Sequence, residues 1–159
     1  MDRKEQRGFS LIELLIVVAI IGIIAAIAVP NMIKAQQATH ETAAIENLKA
    51  IGQGQALYSV TKGHGKYASL QELGADGDID PGLAQGTRSG YIFTCDPVVV
   101  EGGPAMYDST AKPQSTGRFG SGNRCFGSNE TNIIFEAPGS IDLKGTPTDR
   151  NPQGGTPIQ

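Results

Sequence analysis

The stretch Phe9–Val29, FSLIELLIVVAIIGIIAAIAV, restricts this chain more than any other part of it. Only Ser10, Glu13 and Gly22 within it are not aliphatic, alanine or aromatic. As an α-helix it would be roughly 32 Å long at about 1.5 Å per residue, close to the ~30 Å hydrocarbon core of a bilayer. Arg3, Lys4 and Arg7 outnumber Asp2 and Glu5 just before it, which favours a cytoplasmic N-terminus. A single-span anchor satisfies this pattern. So does a secretory signal peptide with Ala26-Ile27-Ala28 as a small-x-small cleavage site. Glu13 fits neither. A carboxylate inside such a helix costs about 2.5–3.5 kcal/mol on insertion scales, less near the helix end. Charges in a membrane usually have a partner, so Glu13 asks for one.

Beyond the apolar run the chain changes character, and most of its 21 glycines and 9 prolines lie there. Its 159 residues suffice for about one domain. A formal net charge of −3 gives no basic face for nucleic acid, and none is expected as a partner. Asn31–Lys62 is polar with an apolar stripe at Ile45, Leu48 and Ile51, with Tyr58 near its extension. Alanines favour helix there, and KGHG at Lys62–Gly65 ends it. The expectation is one helix from Phe9 to Lys62, kinked at Pro30, which lacks an N–H and leaves the Ala26 carbonyl unpaired.

Tyr67–Leu73 reads as a short helical turn. Asp76, Asp78 and Asp80 then alternate, but the EF-hand pattern fails, with Pro81 at its sixth position and Thr87 at its twelfth. The expectation is a solvated turn and no metal, and His40 and His64 are expected to face solvent. Gly90–Val100 (broken by Pro97), Pro104–Thr110, Asn123–Ser128 and Asn132–Ala137 read as strands separated by glycine-rich turns. Short strands in series imply an antiparallel meander, since parallel strands need long crossovers. Cys95 and Cys125 show no metal-ligand spacing. In an oxidising compartment they are expected to form a disulfide, closing a loop worth about 3–4 kcal/mol in the loop-entropy model. The glycines of GRFGSGN do not open a helix and read as turn residues, and no catalytic constellation or cofactor motif is present, so no enzyme is expected.

Gly8-Phe9-Ser10-Leu11-Ile12-Glu13 resembles the processing site of type IV pilins and the related pseudopilins of type II secretion. The resemblance runs from Arg7 to Pro30 and includes Gly22. It implies a cut between Gly8 and Phe9 by a prepilin peptidase and methylation of the new Phe9 amine. It implies that Glu13 pairs with the Phe9 amine of a neighbouring subunit in a filament. The stretch between Gly22 and Pro30 would melt when subunits pack. The implied partners are copies of the chain, the peptidase, an inner-membrane assembly platform and membrane lipid before assembly.

The expected fold is α+β, a long kinked N-terminal helix packed on a small antiparallel sheet. The expected segments are a leader at 1–8, a membrane or filament-core helix at 9–30, an amphipathic half at 31–62, a β domain at 63–144 and a disordered tail at 145–159. The expected function is a type IV pilus subunit that leaves the inner membrane for a surface filament. The alternatives are a pseudopilin or minor pilin of a secretion or uptake machine, and an anchored or secreted binding domain that does not polymerise.

Overall fold

A computed structural model describes residues 9–99, 102–139, 144–146, 149–150, 152 and 154–158. The expected leader at 1–8, including Gly8, lies outside the described residues. The chain forms two units, Met1–Ala35 and Gln36–Gln159. The elements are helices α1 (Leu11–Thr61), α2 (Leu70–Asp76) and α3 (Pro81–Ala84). The strands are β1 (Thr87–Arg88), β2 (Tyr91–Val98), β3 (Met106–Pro113), β4 (Arg124–Asn129), β5 (Ile134–Pro138) and β6 (Thr156–Pro157).

In the second unit, the stripe of α1 that is buried runs through Gln37, Glu41, Ala44, Leu48, Ile51 and Gln55. Leu48 and Ile51 of the expected stripe are buried in the core, and Ile45 and Tyr58 pack against it partly buried. The buried face also holds three polar residues that the expected stripe did not include, each with partners. Gln55 accepts from the Ala68 N–H at 3.0 Å and donates to the Ala68 carbonyl at 2.5 Å, as a paired strand would. Glu41 meets the Arg124 guanidinium at 2.8 Å. Gly52 and Gly54, which weaken the helix by propensity, are close-approach points. A Cβ at position 52 would meet the Asn132 side chain, and one at 54 would meet Ile79 and the Asp78 carbonyl.

Two local caps set the short helices. Ser69 and Glu72 form a capping box, so α2 starts three residues later than the expected turn. Asp80 accepts from the N–H groups of Gly82 and Leu83, with Pro81 in the first helical position.

The six strands pair antiparallel in sequence order, as the meander expectation required. β2 runs through Pro97 instead of breaking there. The Phe93 N–H points away from β3, to the Gly86 carbonyl at 2.7 Å, and Pro97 has the same parity. Its nitrogen therefore faces a sheet edge that β1 does not reach, and the ladder loses nothing. One sheet face, carrying Tyr91, Phe93, Cys95, Tyr107, Ala111, Phe126 and Ile134, packs with Ala44, Leu48 and Ile51 of α1 and with α2 and α3.

The register rules out the expected disulfide. Cys95 lies opposite Ser109 on β3, and Ser109 lies opposite Ser128 on β4. Cys95 therefore shares a face with Ser128 and Phe126, whereas Cys125 points to the other face, beside Phe135 and Ala137. Two strand spacings alone separate them by about 9.5 Å, beyond the ~7 Å reach of a disulfide. Both are buried free thiols. Burial pushes the Cys95 thiol up to about 12. Alkylation under denaturing, non-reducing conditions should therefore label two thiols per chain. In the native protein the same reagent should react far more slowly, and a single denatured-state disulfide would contradict the register.

Within 145–159, expected as a disordered tail, the described residues make specific contacts. Arg150 meets Asp108 at 2.9 Å and Glu130 at 2.6 Å, and donates to the Tyr107 carbonyl at 2.8 Å. The Asn129 amide donates to the Arg150 carbonyl at 2.5 Å, and the Gly145 N–H to Asp108 at 3.2 Å. β6 then pairs with β5, and the Ile158 N–H reaches the Ile134 carbonyl at 2.8 Å. The described tail residues are thus tied to β3, β4 and β5 by polar contacts, which a low-complexity stretch does not advertise.

Candidate assembly segment

Every residue from Phe9 to Val29 is exposed within the single chain, although α1 is long and apolar enough there to cross a membrane. Covering fourteen large apolar side chains would be worth on the order of 20 kcal/mol by area. Such a surface is not left in water, and lipid or other copies of the helix are the two covers of matching chemistry.

The first turn places the one carboxylate of this run. Ser10 stands just before α1, and Glu13 is its third residue. The Ser10 N–H donates to Glu13 Oε2 at 2.8 Å, so the carboxylate folds back on its own helix start. That cap was legible as a Ser-x-x-Glu spacing but was not read from the sequence. Phe9, directly before it, is 87% exposed. Phe9 and Glu13 therefore sit at one helix start, and Gly22 has open space where a side chain would be. α1 continues through Pro30.

The prokaryotic N-terminal methylation motif matches residues 3–29. The type IV major pilin protein PilA of Myxococcus xanthus is 46% identical over 87 residues, covering 54% of this chain and 36% of that protein. The type II secretion system core protein G of Pseudomonas aeruginosa is 38% identical over 60 residues, covering 38% and 42%. The competence protein ComGC of Streptococcus pneumoniae is 32% identical over 79 residues, covering 50% of this chain and 71% of the relative. The chain belongs to the type IV pilin and pseudopilin family. This family member spans less than half the length of the first two of these relatives. No solved structure matches it significantly.

Two of the other candidate residues of this pilin-family chain are occupied locally, while the buried Asp78 Oδ2 has no hydrogen-bond partner among the described residues. Asp76 binds Lys62 at 2.9 Å, and Asp80 caps α3 and meets Arg88 at 2.6 Å. Among the described residues no three His, Cys, Asp or Glu side chains converge as a metal site. His64 is exposed, but His40 is half-buried, with Nδ1 3.1 Å from the Ser121 carbonyl oxygen, contrary to the expectation of a solvent-facing ring.

Proposed function

We propose that this chain is the structural subunit of a type IV pilus. It is cut between Gly8 and Phe9 by a prepilin peptidase and methylated at Phe9. It is held in the inner membrane by Phe9–Pro30 and passed by an assembly platform into a surface filament of its own copies. The reading rests on one observation, a fully exposed apolar stretch, Phe9–Val29, whose only carboxylate stands near its start, four residues after Phe9.

In that filament the Glu13 carboxylate pairs with the methylated amine of a neighbour. A charge pair in a nearly water-free core is strongly attractive, and an unpaired charge is heavily penalised, so the pair selects register. Gly22 and Pro30 are the weak points at which α1 opens during packing. The likeness to the type II secretion core protein G supports a second reading, a pseudopilin that forms a short filament inside a secretion machine. Electron microscopy of sheared surface material separates the two, since only a pilus subunit yields surface filaments. Mass spectrometry of the mature subunit should find a methylated Phe9 as its first residue. A first residue of Val29 would overturn the reading in favour of a signal peptide.

A further inference from the structure

The β3–β4 connection, residues 114–123, is pinned to the first turns of α1 within the second unit. The Gln37 amide donates to the carbonyls of Gly117 at 2.8 Å and Gly120 at 3.1 Å. The Asn123 N–H donates to Glu41 at 2.9 Å. Between the two pinned glycines stand Arg118 and Phe119. Phe119 is 79% exposed, whereas every other aromatic side chain of this unit is buried or half-buried. A loop fixed on both sides of a bare aromatic presents it in a set position.

That position lies beside Gln37, the second residue of this unit. No charge occurs between Glu13 and Lys34, and Met32 and Ile33 extend the apolar composition to the residue before Lys34. A lysine at that place marks the bilayer interface, because its ammonium reaches for water and phosphate. Gln37 follows three residues later, so it is at most about 11 Å from Lys34 however the two units are joined. The headgroup layer is itself about 5–8 Å thick on each side of the hydrocarbon core. An aromatic ring beside a guanidinium is the pair that this layer accepts, the ring at the acyl boundary and the cation on phosphate.

We propose that Arg118 and Phe119 form a second membrane contact, docking the globular unit onto anionic phospholipid headgroups while the subunit waits for assembly. This rests on the anchoring of Phe9–Pro30 proposed above. The contact would fix the orientation of the waiting subunit and would be given up when it leaves the bilayer.

The chain contains no tryptophan, so a single substituted one reports alone. The full-length mature chain carrying Phe119→Trp is reconstituted into phosphatidylethanolamine–phosphatidylglycerol vesicles with nitroxide-labelled headgroups. A Val99→Trp chain is the control. Val99 is also exposed but follows the far end of β2, about 26 Å along the strand from Tyr91, against which Gly122 of the loop packs. Blue-shifted emission and several-fold stronger quenching for Phe119→Trp than for Val99→Trp are expected. Equal quenching in chains that float with the vesicles would overturn the contact while the anchoring stands. Chains that fail to float would overturn the anchoring, and the contact with it. Emission that stays red in vesicles and turns blue only in filaments would overturn it in favour of a contact between subunits.

Discussion

Glu13→Ala is expected to abolish filaments while leaving a cut, membrane-held subunit with a folded globular unit. The substitution removes a charge from an apolar helix and adds helix propensity, so insertion should be at least as good. The globular unit has its own core and does not include Glu13. What is lost is the counter-charge for a neighbour's amine, and with it the penalty that rejects wrong registers. Because Glu13 also accepts the Ser10 N–H, Ala alone does not separate pairing from capping. Glu13→Gln does, since its amide oxygen still caps while its charge is gone. Both variants should lose filaments by at least tenfold in electron microscopy of sheared material, with processing at Phe9 confirmed by mass spectrometry. Filaments restored by Gln would assign Glu13 to the cap. Normal filaments from both would remove Glu13 from assembly altogether.

Arg150→Met should destabilise the globular unit by about 3–5 kcal/mol, the usual cost of breaking a buried ion pair from one side. Asp108 is 5% and Arg150 17% exposed at their side chains, so the charges left behind have little water to turn to. The unit's Tm should fall by roughly 10 °C or more. Methionine keeps most of the stem's packing, so the loss reports on the guanidinium. Acid should shrink the difference. Burial by itself would raise the Glu130 carboxyl, but the hydrogen bonds and charge of Arg150 outweigh it and hold the group below its ordinary value. A depressed carboxylate contributes stability in full above its unfolded value of about 4.3, and this is lost as pH falls through its folded value. The gap between the two melting curves should therefore begin to narrow as pH falls below about 4.3. A Tm within 2 °C or so of the parent at neutral pH would mean that the tail hangs on the sheet without holding it.

Reading the chain alone settles its class for a plain reason. A long apolar run with one carboxylate at a fixed distance from Gly8-Phe9 is a local pattern, and its meaning depends on no other part of the molecule. The strands and the meander were legible for the same kind of reason, because β-branched runs between glycine-rich turns leave short antiparallel pairing as the economical connection. Non-local relations were not legible. Cys95 and Cys125 look like a pair until the register through Ser109 and Ser128 sends them to opposite faces, and register is set by three strands together. Gln37, Glu41 and Gln55 look like surface residues on a helix until Asn123, Arg124 and Ala68 arrive from distant sequence to satisfy them. Arg150 sits in a stretch whose composition predicts disorder, and only Asp108 and Glu130, brought side by side by β3 and the end of β4, give it a place. The sequence by itself determined the helix, the processing motif and the succession of strands. The tertiary structure alone decided which polar side chains are buried and paired and which face each cysteine takes, because burial and pairing are properties of two chain segments at once.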